Sequence, residues 1–237
     1  MSKALVARYL AKRVKDGDVL GLGSGSTAEL AVAEIGKRIS KEKIRVSGVP
    51  TSYKIGTFAS ENGIQVLSSM ANIPLSWAFD GADEVDPSFM MIKGRGAAML
   101  NEKIIARRAG ENMVIIVSDD KLVERLGQKF PIPVEVIPEA AMLVVDGLKA
   151  LGATEIVFRQ SNAKYGPETT EHNNLILDAR FDSIAPELEL RMKSITGVVE
   201  TGLFVGLAKE LIVARENGVW SRKLVGGKIE EQLLEAP

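Results

Sequence analysis

A short apolar run, Val19–Leu22, passes through Gly21-Leu22-Gly23-Ser24-Gly25-Ser26-Thr27 into a helical pattern carrying Leu30, Ala31, Ile35 and Ile39. A strand that turns through glycines into an amphipathic helix constrains the fold strongly. Parallel strands cannot be joined by a tight hairpin and need a helical crossover. The same alternation continues along the first half of the chain. Residues 3–15 read as a helix with Leu5, Tyr9 and Leu10 on one stripe, ended by Asp16-Gly17-Asp18. Residues 44–49 read as a strand, and Thr51 or Ser52 as the cap of a helix running to Asn62-Gly63. Strands are expected at 64–67, 75–79 and 113–117, with a helix at 97–109 between the last two. The expectation is a Rossmann-like, mostly parallel α/β sheet with helices on both faces.

The pattern changes near Gly127, and Phe130-Pro131-Ile132-Pro133 reads as a crossing between domains. Beyond it come a strand (134–137), a helix (139–151), strands at 154–158 and 175–181, a helix (186–195) and a strand (197–204). That β-α-β-β-α-β order predicts an inserted, smaller α+β domain of the ferredoxin-like kind. Residues 211–214 and 219–224 flank Glu216-Asn217-Gly218 as a closing hairpin. The predicted division is therefore 1–127 with 204–237 for the α/β domain, and 128–203 for the insertion, which is also the expected oligomer contact.

Composition removes whole classes of function. The chain has no cysteine, so disulfides, zinc–thiolate sites, iron–sulfur clusters and thiol nucleophiles are out. It has one histidine, His172, which reads as a surface turn residue and leaves no His-rich metal site. Thirty basic residues against 31 acidic ones give no basic excess to drive nucleic-acid binding. The longest apolar run, 140–145, is far short of the roughly 20 residues that span a bilayer. The first eighteen residues hold no signal-peptide core, so a soluble, cytoplasmic protein without membrane partner is expected. Trp77 and Trp220 read as packing residues.

Four segments can carry chemistry. In the first loop, glycines let the backbone approach a ligand, and the following helix start favours an anion. Ser24, Ser26 and Thr27 add hydroxyl donors. Gly23-x-Gly25-x-x-Ala28 formally fits a dinucleotide fingerprint, but Val46-Ser47-Gly48-Val49-Pro50 offers no acid for a ribose. Gly25-Ser26-Thr27 also lacks a Walker lysine, so a sugar phosphate fits better than a nucleotide. The second segment is Asp80-Gly81-Ala82-Asp83-Glu84-Val85-Asp86, directly after a strand. Acids there can hold sugar hydroxyls, transfer protons or bind a hard cation, or can simply form a polar turn. The third is Lys93-Gly94-Arg95-Gly96, followed by a helix carrying Glu102, a carboxylate able to act as a base beside a carbonyl. The fourth is Lys121, in Ser118-Asp119-Asp120-Lys121, again just after a strand.

In their order and spacing these segments resemble the ribose-5-phosphate isomerase type A family. The resemblance runs from Lys3 to the C-terminal hairpin. GLGSGST at 21–27, DGADEV at 80–85, KGRGAAMLNE at 93–102, FPIPVEVIP at 130–138, GVVETGLF at 197–204 and Lys121 carry it. It implies interconversion of ribose 5-phosphate and ribulose 5-phosphate in the pentose phosphate pathway, with no metal and no cofactor. It also implies that Glu102 shuttles the proton between C2 and C1, while Lys93, Asp80 and Asp83 hold sugar oxygens and assist ring opening. Ser24, Gly25, Ser26 and Thr27 would form one substrate loop and Lys93, Gly94, Arg95 and Gly96 another. Gly81, Ala82 and Lys121 would also touch substrate, and Lys3 would reach its phosphate end. Family members form homodimers or homotetramers. Two departures stand out: Arg95 where Lys-Gly-Gly-Gly is common, and Ser24 where many relatives have Thr.

Three other readings stay on the table. A sugar-phosphate sensor without turnover would normally carry a DNA-binding helix-turn-helix, and none precedes residue 19. A glutamate-dependent acyl- or CoA-transferase would need a CoA site, which is not identifiable. A nicotinamide enzyme lacks its ribose acid.

Overall fold

The computed structural model describes residues 2–163 and 165–236. In chain order its elements are α1 (Ser2–Arg13), β1 (Val19–Leu22), α2 (Ser26–Glu42), β2 (Ser47–Pro50), α3 (Tyr53–Glu61), β3 (Gln65–Val66), β4 (Trp77–Gly81), β5 (Glu84–Val85) and β6 (Met91–Ile92). Next come α4 (Met99–Ala109), β7 (Met113–Ser118), β8 (Ile132–Val136), α5 (Ala141–Ala150), β9 (Ala153–Phe158), β10 (Leu175–Phe181) and α6 (Glu187–Lys193). The chain closes with β11 (Val198–Thr201), β12 (Leu203–Phe204), β13 (Glu210–Arg215), β14 (Gly218–Val225) and β15 (Lys228–Glu235). These residues divide into two compact units. One holds Met1–Gly81, Asn101–Leu122 and Leu207–Pro237, the other Ala82–Leu100 and Val123–Gly206.

The first unit is built on an eight-stranded sheet in the order β15-β14-β13-β7-β4-β1-β2-β3. Every pairing from β13 to β3 is parallel, and the last two strands at the β15 edge run antiparallel. Strand β1 shows how helices come to cover both faces. Leu20 and Leu22 point into the core shared with Ala28, Ala31, Val32 and Ile35 of α2 and Ile55 and Ala59 of α3. Gly21 faces the opposite way, where a Cβ would lie 2.5 Å from Ile105 of α4. The buried positions of α2 recur at helical spacing, and its C-cap Lys43 is left-handed with its N–H on the Ile39 carbonyl. Arg38 on α2 caps its neighbour, donating to the Ala11 carbonyl near the end of α1 and to the Val14 carbonyl just beyond it.

The second unit contains a four-stranded sheet, β11-β8-β10-β9, with all three pairings antiparallel. Its core joins Ile132, Val134, Val136, Leu177 and Ala179 to Val144 and Leu148 of α5 and Leu188 and Met192 of α6. The β-α-β-β-α-β order thus closes as the ferredoxin-like arrangement expected from the sequence. A three-stranded sheet, β12-β6-β5, belongs to the same unit.

Several element boundaries differ from the sequence reading for identifiable reasons. The run 197–204 is two strands in two sheets, because the chain changes partner at Gly202. Strands β5 and β6 are two residues each, too short to show a period. Strand β15 was not anticipated: it is a largely exposed edge strand rich in charge, reached through Gly226-Gly227. Ser52, not Thr51, caps α3, its hydroxyl accepting from the Ile55 N–H.

Candidate active site

In the first unit the parallel sheet places the ends of β1, β2, β4 and β7 side by side, with Leu22 opposite Pro50 and Phe79, and Gly81 opposite Ile116. Ser24, Gly25, Ser26, Thr27, Asp80, Gly81 and Lys121 lie at that edge or just beyond it, where ligands bind in sheets of this kind. Gly23 donates to the Phe79 carbonyl at 2.8 Å. A Cβ there would lie 2.4 Å from that same oxygen and 2.4 Å from Asp80 Oδ1, so only glycine fits. Buried Asp80 then takes the Ser24 N–H at 3.0 Å and the Gly81 N–H at 2.7 Å on one carboxylate oxygen. Its first role is therefore to fix the loop's backbone.

Gly25 is the N-cap of α2, with φ of 102°, a left-handed value that favours glycine. The α2 start, carrying Ser26 and Thr27, is exposed or half-buried, leaving its first amides at the surface. Lys3 of α1 donates to Ser26 Oγ at 3.0 Å, bringing an ammonium to the loop. Ser24 Oγ meets Thr51 Oγ1 at 2.8 Å and Ser52 Oγ at 2.9 Å. From the sequence, Thr51 and Ser52 read only as capping residues. Their signal was positional, since they follow the strand beside β1. Lys121 closes a 3-10 turn directly after β7 and lies half-buried, its Nζ 4.0 Å from Asp120 Oδ2. Glu102 is buried in the first turn of α4, where the helix's positive end favours a carboxylate. His172 is exposed and Trp77 is buried in the core, as read from the sequence, while Trp220 is half-buried with its indole N–H on Asn217 Oδ1.

In the second unit, the acidic run divides by role. Glu84 is fully buried and accepts the N–H groups of Gly127, Lys129 and Phe130 at 2.7, 2.5 and 2.7 Å. Asp86 closes a turn by accepting from Ser88 and Met90. These two acids are structural. Asp83, half-buried beside Ala82, keeps a carboxylate oxygen on the Arg95 N–H at 3.2 Å. Lys93 is buried, its N–H on the Gly202 carbonyl at 2.9 Å and its ammonium 5.4 Å from the Phe204 ring centre. Gly94 has φ of 93°, and the turn closes with the Ala97 N–H on the Gly94 carbonyl at 3.1 Å. Arg95 is exposed and lays its guanidinium over Phe130, 5.0 Å from the ring centre, with Gly96 exposed beside it. The departure at the middle glycine is thus accommodated by stacking. Arg159, which no motif flagged, donates to the carbonyls of Gly94 at 2.9 Å and Arg95 at 3.1 Å.

The chain matches the family model for ribose 5-phosphate isomerase A (phosphoriboisomerase A) over residues 47–218. It is 44% identical over 219 residues to ribose-5-phosphate isomerase A of Methanothermobacter thermautotrophicus, covering 92% of this chain and 95% of that one. The chain belongs to the ribose 5-phosphate isomerase A family. The Methanocaldococcus jannaschii family structure superposes with a TM-score of 0.88 at 41% identity, covering 93% of this chain and 97% of that one. A D-ribose-5-phosphate isomerase in complex with phospho-erythronic acid gives a TM-score of 0.89 at 37% identity, covering 94% and 97%. The isomerase A family is one of aldose–ketose isomerases, and this chain carries its α/β fold along nearly its whole length. Among the described residues no helix is long and apolar enough to cross a membrane.

Proposed function

We propose that this chain interconverts D-ribose 5-phosphate and D-ribulose 5-phosphate, with Glu102 as the proton shuttle. The observation that carries the reading is the family match together with the first-loop geometry. Hydroxyls, helix-start amides and the Lys3 ammonium converge on a loop that Asp80 holds rigid. The acid in the complexed relative adds chemical sense. A carboxylate carries two oxygens on one end carbon and mimics the charge spread of an enediolate.

The reaction balances without an external electron acceptor. The Glu102 carboxylate takes the proton from C2 of the open-chain aldose, the electron pair forms C1=C2, and negative charge collects on O1. A proton passes from O2 to O1, moving the charge to O2. Glu102 returns its proton to C1, and the C2 carbonyl completes the ketose. The buried Lys93 ammonium stabilises the oxyanion. Asp80 and Asp83 hold hydroxyl groups during ring opening. Ser24, Gly25, Ser26 and Thr27, with Lys3 and Lys121, take the phosphorylated pentose, and Gly81, Ala82, Gly94, Arg95 and Gly96 contribute backbone contacts. No metal or cofactor enters this scheme. We place the enzyme in the cytoplasm and expect a homodimer or homotetramer, with 128–203 as the contact region.

The test is turnover in excess EDTA. The parent should produce ribulose 5-phosphate from ribose 5-phosphate, and Glu102→Gln should lose about three orders of magnitude in kcat. Equal turnover by the variant would remove Glu102 as the base. No turnover by either, with ribose 5-phosphate still raising Tm, would make the chain a sensor.

A further inference from the structure

The loop carrying Lys93 is held by a side chain that belongs to neither glycine-rich motif. Arg159 directly follows β9, and its side chain reaches back to Asp178 of the neighbouring β10, the residue that pairs with Val157. Its Nε and Nη2 donate to the two oxygens of Asp178 at 2.9 and 2.5 Å, a two-pronged pair that fixes the guanidinium plane. Both side chains are mostly buried, at 15% and 19% exposure. With two nitrogens committed, Nη1 reaches the carbonyls of Gly94 and Arg95 at 2.9 and 3.1 Å.

A trans peptide places its C=O and N–H on opposite sides. Holding the Gly94 carbonyl toward Arg159 therefore turns the Arg95 N–H away from it, and that N–H meets Asp83 Oδ2 at 3.2 Å. Holding the Arg95 carbonyl does the same for the Gly96 N–H, at an exposed position with open space around it. We propose that Arg159, oriented by Asp178, is a positioning residue that fixes these two peptide planes and aims the Arg95 and Gly96 amides to the Asp83 side of the loop. There the Arg95 amide holds the Asp83 carboxylate in place, and the Gly96 amide donates to an oxygen of the sugar phosphate. The inference rests on the isomerase reading above for the identity of that ligand. A flexible ammonium could not replace the guanidinium, because it offers no plane with which to grip a carboxylate and two carbonyls together.

The experiment compares the parent with Arg159→Ala, Arg159→Lys and Asp178→Asn. In Arg159→Ala, KM should rise by about tenfold to a hundredfold while kcat changes little, as expected when contacts common to ground and transition states are misplaced. Arg159→Lys should recover little of this, and Asp178→Asn should show a smaller shift in the same direction. Arg159 lines a cavity of about 500 Å³ together with Phe130, Gln160 and Glu168, so a small cation can reach the vacated place. Millimolar guanidinium should therefore lower the KM of Arg159→Ala toward the parent value and leave the parent unaffected. A merely structural loss would lower kcat through a smaller active fraction, and guanidinium would not repair it. Parent-like KM in folded Arg159→Ala, or a KM defect that guanidinium leaves intact, overturns the proposal. If Arg159→Ala does not fold, the KM of Asp178→Asn decides. If the parent itself turns nothing over, the isomerase reading fails. The dissociation constant of ribose 5-phosphate, weakened in Arg159→Ala or unchanged, then decides the positioning role.

Discussion

The two glycine-rich loops look alike in sequence and are held in different ways. The loop at 21–27 is fixed by its own neighbours in the sheet. Gly23 bonds to the adjacent strand, and Asp80 at the end of that strand takes the Ser24 amide. The loop at 93–96 is fixed from a distance. Gly202 supplies the carbonyl for Lys93, and Arg159 takes the carbonyls of Gly94 and Arg95. A parallel sheet brings the ends of adjacent strands together as a matter of topology, so one aspartate suffices for the first loop. The second loop leaves a two-residue strand and has no such frame, so its shape depends on a side-chain clamp.

The strongest way to break this comparison is to crowd each loop at its closest backbone approach. In Gly23→Ala the new Cβ would sit 2.4 Å from the Phe79 carbonyl, and in Gly202→Ala 2.2 Å from the Lys93 carbonyl. Both obstacles are backbone, so neither can swing aside. Each variant should lose about 3 kcal/mol or more in urea unfolding, the upper part of the overpacking range. Gly202→Ala lies outside every glycine-rich motif, yet it should match Gly23→Ala. A loss under about 1 kcal/mol for Gly202→Ala alone would mean that the second loop is soft and the clamp unimportant.

This difference also explains what could be read from the sequence. The parallel sheet was legible because its strands alternate with helices at regular intervals, and the first loop came with it. The β-α-β-β-α-β order was legible for the same reason. The second loop's environment was not. Arg159 follows the partly exposed strand β9 and precedes a polar stretch, so its side chain has no periodic signature. Gly202 looked like an ordinary glycine inside one strand rather than the point where the chain changes sheets. The acidic run at 80–86 was ambiguous for a further reason. Side chains of one type do separate jobs there: Glu84 satisfies buried amides and Asp86 closes a turn. Only the partners distinguish them from Asp80 and Asp83.

A smaller perturbation separates the two duties assigned to Asp80. Asp80→Asn keeps an oxygen able to accept the Ser24 and Gly81 amides but removes the charge. Trading a charged acceptor for a neutral one should cost about 1–2 kcal/mol of stability. If the carboxylate also handles substrate hydroxyls, kcat/KM should fall by at least about tenfold in protein that is still folded. Activity that falls only in step with the folded fraction would reduce Asp80 to a loop clamp, the first loop's counterpart of Arg159.

The smallest effect belongs to Ser24→Ala, and it sharpens the contrast from the other side. Thr51 Oγ1 donates to the Leu22 carbonyl at 3.0 Å, so it must accept from Ser24 Oγ. Ser52 Oγ accepts from the Ile55 N–H and has its own proton free to give to Ser24. The three hydroxyls therefore run in one direction, from Ser52 through Ser24 and Thr51 to the end of β1. Removing the middle hydroxyl leaves Thr51 bonded to Leu22, and Ser52 lies near enough to the surface for water to replace its partner. The expected loss is about 1 kcal/mol in unfolding free energy. The Ser24 amide, which Asp80 holds, is untouched by the substitution. The backbone-pinned loop should keep its shape, so KM should rise only about severalfold through the loss of the Ser24 hydroxyl's own substrate contact, whereas the second loop should lose more substrate affinity when a side chain outside it is cut away. A KM rise in Ser24→Ala as large as that of Arg159→Ala would erase the distinction and show that the first loop, too, is set by its side chains.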